Sequence, residues 1–490
     1  MAHPQMMQMS ETEISAKTMR KLKILSTVGF GRGPWSVDGP VEVMIHRDLP
    51  HISGTSSKSP DRIKQLIEND NARQKIMQHR LSRGRMATEV DRSDEVLMPK
   101  YASLAAIPMR SAADYGMGQY FVSFRVGTPP QKFVLIADTG SDVTWMNCHY
   151  ACTQSVCPDK RPNIGRIFHA RQSPSFKTIP CSSDTCKIDL ARSFSLTKCH
   201  QPDAPCAYDY RYADGSSSMG FFGTETVTVG LHNRHKVRLH DVLIGCTQWM
   251  NGTFHDSDGV MGLGYNTHSF AVKVAEKFGN MFSYCLVDHL SFSNVSNFLS
   301  FGRPKEGPFE KMKYTELLLG VVDPFYAVKL SGISIGGEML NIPPEVWEVD
   351  VERGTILDSG SSLTMLTYPA YDTVMAAFEV RLTKIERKKL VNGPPLEFCF
   401  ESEGYWKKKF PKFAFHFVNG AQFKAPVKNY VFEVAPGVSC LGFLPTPGHT
   451  VIGNIMQQNH LWEFDLANNR LGFMRSTCTY TSLVKDTAKA

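Results

Sequence analysis

The sequence predicts a mostly β protein built as two lobes with a site between them, and three observations carry that prediction. Short alternating apolar runs separated by turns begin at Gln119 and recur almost to the C-terminus. An apolar run delivers an Asp into a small-residue turn once in each half of the chain, as ADTGSDVTW at 137–145 and as TILDSGSSL at 355–363. At 490 residues the chain also exceeds what one hydrophobic core usually organises.

Taken in order, residues 51–61 are rich in Ser, Pro and Lys and read as a linker. Ser59-Pro60-Asp61 then reads as a helix start, with Ser as cap and Pro in the first turn. Ile63, Leu66, Ile67, Ile76 and Met77 give an amphipathic stripe ending near Arg83-Gly84. Residues 87–118 are polar and read as an exposed connection. Strands are expected at Tyr120–Val126, Phe133–Ala137, Tyr208–Tyr212, Thr224–Val229 and Val242–Ile244. A second set is expected at Tyr326–Leu330, Ile333–Ile335, Thr355–Leu357, Phe413–Phe417, Tyr430–Val434 and Leu471–Met474. One helix interrupts that set, with Tyr371, Val374, Met375, Phe378, Leu382 and Ile385 at helical spacing and basic residues at its C-terminal end.

Composition narrows the class. A hydrophobic content of 42% with 21% charged residues suits a globular protein, and the net charge of +7 is modest for the length. Its sharpest local source is the acid-free run from Arg73 to Arg85, which reads as a solvated helix face. No zinc-finger, RNA-recognition or P-loop signature is present, so no nucleic-acid partner is expected. No apolar run is long enough to span a bilayer.

All twelve cysteines lie between Cys148 and Cys478, and seven crowd between Cys148 and Cys206. That pattern reads as a disulfide-stapled segment and an oxidising compartment. Cys148, His149, Cys152 and Cys157 could be imagined around zinc, but no second closely spaced cysteine pair completes such a site, and neither metal nor cofactor is expected. Acceptors at Asn251-Gly252-Thr253 and Asn294-Val295-Ser296 agree with a secreted glycoprotein. Residues 1–40 hold no apolar stretch of signal-peptide length; the longest candidate, Ile24–Phe30, is interrupted by Ser, Thr and Gly. Secretion to the extracellular space or delivery to the vacuole remains the expected location.

Two acids held in contact cannot both ionise cheaply, so paired carboxylates share a proton and can serve as acid and base together. Five motifs in order extend that reading: Asp138-Thr139-Gly140-Ser141, Tyr212-Ala213-Asp214-Gly215-Ser216, Asp258-Gly259-Val260-Met261-Gly262-Leu263-Gly264, Asp358-Ser359-Gly360-Ser361 and Val451-Ile452-Gly453-Asn454. Together they resemble the pepsin-like aspartic endopeptidases, specifically the Cys-rich plant type typified by nepenthesin. The resemblance covers 115–480 and, more weakly, 41–100, where Val43-Met44-Ile45-His46-Arg47-Asp48 is similar to that group's propeptide.

The resemblance implies a bilobal pepsin-like fold of mainly β structure, with the active site between the lobes and peptide hydrolysis at acid pH. Asp138 and Asp358 would be the catalytic pair. Thr139 and Ser359 would clasp each other's loops, Gly140 and Gly360 would complete the turns, and Ser141 and Ser361 would bond the carboxylates. Tyr212 would stand on the flap with Trp145 as its indole partner, seeing little of the core. The implied disulfides are Cys148–Cys152, Cys157–Cys246, Cys181–Cys206, Cys186–Cys199, Cys285–Cys478 and Cys399–Cys440. The domains would be an extension at 1–40, a removable inhibitory propeptide at 41–114, an N-terminal lobe at 115–305, a connection at 306–325, a C-terminal lobe at 326–480 and a tail at 481–490. A monomer acting on proteins or peptides is expected. The alternative is a non-catalytic inhibitor or binding protein on the same fold. Ala213, where the family usually has Gly, departs from the pattern.

Overall fold

The computed structural model describes residues 104–478 with breaks, the longest at 151–165, together with eight residues within 63–74. All of these belong to one compact unit, Thr55–Ala490, and the other unit, Met1–Gly54, lies outside the described residues.

Among the described residues a 15-stranded sheet forms the frame. Its path runs from Lys313–Glu316 through Arg470–Arg475, His460–Asp465, Met281–Cys285, Asn297–Phe301 and Ala105–Ser111 to Tyr120–Val126 and Gln131–Asp138. It continues through Gly259–Gly262, Trp145–His149, Lys236–Asn251 and Ser217–Leu231 to Lys177–Thr178. Three smaller sheets, of five, four and three strands, carry most of the C-terminal half. The expected boundary between lobes is therefore not a boundary in the sheet. Strands 313–316, 460–465 and 470–475, assigned from sequence to the connection and the second lobe, hydrogen-bond onto the frame of the first. Backbone N–H and C=O groups must find partners, and here the two halves supply each other's.

The segment 105–111 corrects a second expectation. Instead of an exposed connection it is a strand with partners on both sides, Asn297–Phe301 along one and Tyr120–Val126 and Leu231 along the other. Pro108 pairs with Phe298 on one side, and on the other it stands where the neighbour changes from Gly230 and Leu231 to Tyr120–Phe121–Val122. Ala105 and Ile107 are buried, which places this strand inside the body of the fold.

The helix expected over 371–385 is Tyr368–Arg381, with Pro369 in its first turn and Ala370, Tyr371, Val374, Met375 and Phe378 turned inward. Aromatic packing dominates the core. Phe282 stacks on Phe464 at 4.6 Å, and Phe413 meets Phe415, Phe443 and Tyr430 at 4.9 to 5.7 Å, separations at which ring pairs attract beyond their area.

The cysteine pairing differs from the expectation. Cys148 is bonded to Cys246, and Cys186 to Cys206, in place of Cys148–Cys152, Cys157–Cys246, Cys181–Cys206 and Cys186–Cys199. Strand Trp145–His149 runs parallel to Lys236–Asn251 in the register Met146 to Cys246, which brings the Cys148 and Cys246 Cα atoms to 5.0 Å. Cys181 is also in a disulfide, and Cys152, Cys157 and Cys199 lie outside the described residues. Cys285 is bonded to Cys478 and Cys399 to Cys440.

The Cys285–Cys478 bond ties the C-terminal end of the described chain to a central strand across a sequence separation of 193. In the chain-entropy model a loop of that size contributes about 5 kcal/mol. Changing both cysteines to Ser should lower the unfolding free energy by about 3 to 5 kcal/mol. Denaturant unfolding of the purified variant checks this, and an unchanged midpoint would refute it.

Acid should weaken the fold through His460. This side chain is buried between Phe423 and Trp462, with Nδ1 at 3.1 Å from the Gln458 carbonyl. Burial pushes its pKa down to about 4, and the charge of Arg475 adds to that, against the pull of the Gln458 carbonyl. The folded state thus keeps the ring neutral while the unfolded chain takes a proton near pH 6.5. The contribution is whole above that pH and is lost as pH falls toward about 4, at a cost of roughly 3 kcal/mol. Unfolding free energies at pH 7 and 4 should converge more in His460→Gln than in the parent; parallel slopes would refute the assignment.

Candidate active site

Two strands of similar composition bring the acids in. Gln131–Asp138 has an apolar stretch that is buried, and Thr355–Asp358 is buried throughout, so each chain arrives at its Asp from inside the core. Each is then accompanied by a short parallel strand whose glycine stands level with the acid. Gly262 pairs with Asp138 and Gly453 with Asp358. A Cβ on Gly262 would lie 2.5 Å from the Asp142 carbonyl carbon, and one on Gly453 would lie 2.2 Å from the Leu363 oxygen. Only glycine lets these backbones pass so close. Gly245, just before Cys246, lies opposite Trp145 in a further parallel pairing.

The two turns grip each other. Thr139 N donates to Ser359 Oγ at 3.0 Å and Ser359 N donates to Thr139 Oγ1 at 2.9 Å. Each hydroxyl in turn donates to the opposite strand, Thr139 Oγ1 to Leu357 O at 3.4 Å and Ser359 Oγ to Ala137 O at 3.0 Å. Both carboxylates are held in matching fashion. Gly140 N and Ser141 Oγ donate to the two oxygens of Asp138 at 3.0 and 2.5 Å; Gly360 N and Ser361 Oγ donate to those of Asp358 at 2.8 and 2.7 Å. Asp138 is 2% exposed and Asp358 0%.

Tyr212 and Trp145 meet: the indole N–H donates to the Tyr212 hydroxyl, and the rings lie 6.3 Å apart. Phe254 and Tyr210 pack on Tyr212 at 5.6 and 5.0 Å. Tyr212 is consequently 9% exposed, which corrects the expectation that it sees little of the core. Its N–H donates to Ser216 O at 2.7 Å, closing the hairpin whose tip, 213–215, lies outside the described residues.

Sequence reasoning missed several supports. Asp142, four residues past Asp138 and buried, accepts from the Tyr210 hydroxyl at 3.0 Å and from Asn266 Nδ2 at 3.3 Å, tying the flap strand to the first turn. Asn454 Nδ2 donates to Ser359 O and Gly118 O, both at 2.9 Å. Asp258 accepts from the backbone N–H of Arg166 and Val134 at 2.6 and 2.7 Å, so it fastens strands; burial raises its pKa and those N–H bonds oppose the rise. Tyr284, raised by burial and further by the charge of Asp358, stays a neutral donor to Gln457 Oε1. Among the described residues no group of three or more His, Cys, Asp or Glu could hold a metal ion.

A duplicated Asp turn, each copy threaded by its own glycine strand and locked to the other by a hydroxyl clasp, defines a pepsin-like protein. Comparison with known proteins agrees. Residues 120–303 match the family model described as xylanase inhibitor N-terminal, and 325–475 match xylanase inhibitor C-terminal. The chain is 32% identical over 439 residues to aspartyl protease family protein 2 of Arabidopsis thaliana, covering 88% of this chain and 84% of that one. It is 30% identical to aspartic proteinase nepenthesin-1 of Nepenthes gracilis, covering 74% and 79%. Basic 7S globulin from soybean, at 19% identity and a TM-score of 0.60, covers 76% of this chain and 97% of its own, and shares the fold. The chain belongs to the plant pepsin-like aspartic proteases. No helix among the described residues is long and apolar enough to cross a membrane.

Proposed function

We propose that the protein is an aspartic endopeptidase of the nepenthesin type, cleaving extended peptide segments in acid. The observation that carries this reading is the intact pair: two buried carboxylates, each held by a glycine N–H and a serine hydroxyl, on turns that clasp each other. With one of Asp138 and Asp358 ionised and the other protonated, the pair holds a water, takes its proton, and protonates or polarises the scissile carbonyl. Because the active form carries one shared proton, turnover rises and falls with pH as the two macroscopic ionisations are crossed. The Tyr212 hairpin covers the substrate and excludes bulk water. Proteins or peptides are the substrates, acted on by a monomer, in a secreted or vacuolar setting that suits the disulfides.

A second reading, a non-catalytic inhibitor on the same fold, is favoured by the description of the matching family models. One assay separates the two. Purified, disulfide-intact protein is incubated with an unfolded protein substrate across acid and neutral pH, with and without a statine-type peptide inhibitor. The endopeptidase reading expects acid cleavage that the inhibitor blocks. Absence of cleavage at every pH from a folded sample would overturn it in favour of the second reading.

A further inference from the structure

The outer face of the sheet that carries the Tyr212 hairpin sets an exposed indole beside a glycan acceptor. Strand Lys236–Asn251 pairs with Ser217–Leu231 in the register Trp249 to Met219 and Asn251 to Ser217. Ser217–Leu231 pairs in turn with Ala207–Arg211, Met219 to Asp209 and Ser217 to Arg211. Side chains alternate across a sheet, so these six residues share one face, while Tyr208, Tyr210 and Ser218 take the other and are buried. The shared face is turned to solvent. Trp249 is 46% exposed, Met219 directly opposite it 39%, and Asn251 is exposed.

We propose that Asn251 is an N-glycosylation site whose first N-acetylglucosamine lies on Trp249 and Met219, so that this apolar patch is the seat of the chain's own glycan. Asn251-Gly252-Thr253 has the acceptor pattern, and Gly252 is there for a backbone reason as well: its φ is 113°, and a Cβ on it would stand 2.3 Å from Ser216 Oγ. The chain therefore turns just after Asn251 and leaves that side chain at the strand's end, on the indole's face. Trp249, two residues earlier, is about 7 Å away along the strand, within reach of a sugar ring carried by Asn251. The face of an indole is negative and the C–H bonds of one pyranose face are polarised positive, so the ring stacks there as a weak cation would. In the transfer, Asn251 Nδ2 loses a proton and bonds to C1 of the sugar, and the pyrophosphate of the lipid-linked oligosaccharide leaves with the electron pair. The other acceptor, Asn294, lies outside the described residues.

The inference stands apart from the endopeptidase reading, because no readout below measures cleavage. The full chain is passed through the secretory pathway of plant cells behind a cleavable leader, and its peptides are mapped with and without peptide:N-glycosidase A. Asn251 should be found modified. A ring stacked on one face of the indole removes about half of what solvent reaches, so hydroxyl radical should oxidise Trp249 about twofold or more slowly in the glycosylated protein than in Asn251→Gln, and Met219 more slowly too. On protein trimmed to a single sugar, the sugar's proton resonances should be shifted upfield by the indole ring current and should return in Trp249→Ala. If Asn251→Gln does not fold, parent protein deglycosylated after folding takes its place. An unmodified Asn251 in the folded, secreted chain would overturn the proposal, and so would a modified Asn251 with equal oxidation of Trp249 in both proteins. Shielding of Trp249 that grows with protein concentration whether or not Asn251 is modified would assign the patch to a second copy of the chain instead, and would overturn it as well.

Discussion

Replacing either Asp138 or Asp358 with Asn should abolish peptide hydrolysis, by at least about a thousandfold in kcat, while the fold survives. General acid–base catalysis is worth roughly 100- to 10,000-fold, and here one pair supplies both acid and base. The fold survives because the amide can keep the local bonds. In Asp358→Asn the new carbonyl can still accept from Gly360 N, and the N–H₂ group can donate to Ser361 Oγ once that hydroxyl turns; Gly140 and Ser141 offer the same to Asp138→Asn. The clasp between Thr139 and Ser359 uses neither carboxylate. Turnover of a peptide substrate and the thermal midpoint, measured on one preparation, check both halves of the expectation. Near-normal turnover by either folded variant would remove the pair from the mechanism.

Gly453→Ala should damage both stability and turnover although it touches no carboxylate. The added methyl would stand 2.2 Å from Leu363 O, 2.6 Å from Leu363 C and 2.9 Å from Ser362 C, and none of these backbone atoms can swing away as a side chain could. Either strand Thr450–Gly453 or the loop after Asp358 must move by about 1 Å to restore ordinary contact. Overpacking of this kind costs about 1 to 3 kcal/mol or more. Since Gly453 stands level with Asp358 in the parallel register, the shift reaches the acid, and a displacement of about 1 Å can cost roughly a hundredfold in rate. The expected result is a clearly lowered melting temperature and kcat reduced about a hundredfold. A variant with parental values for both would show that the glycine strand does not set the position of Asp358.

The duplicated Asp turn was legible because its signal is local: an apolar run, an acid, then Thr or Ser with Gly. The strands Tyr120–Val126 and Gln131–Asp138 and the helix Tyr368–Arg381 were legible for the same reason, since periodicity and caps are written in neighbouring residues. The segment 105–111 was not. Its sequence, AAIPMRS, alternates weakly and contains Pro, and it becomes a strand only because pairing partners lie ready on both sides. Tyr212 looked like an exposed flap residue, and its burial comes from Tyr210 two residues before it and from Trp145 and Phe254, brought to it from distant parts of the chain.

By itself the sequence determined the fold class, the two acids with their Thr139 and Ser359 neighbours, and the need for disulfides, because each is carried by residue types at short spacing. Tertiary structure alone decided which cysteines meet, which glycines thread beneath the turns, and that Asp70 reaches the amides of Ser362 and Leu363. Cys148 finds Cys246 across 98 residues because two strands lie parallel in a particular register, and no local pattern encodes that register. Asp70 on its own reads as an ordinary helix acid facing water; it is buried because the helix lays Ile67 against the second half of the chain. Long-range pairing is settled by what the whole fold can satisfy at once, in hydrogen bonds and in packed volume, and that condition cannot be read from any one stretch.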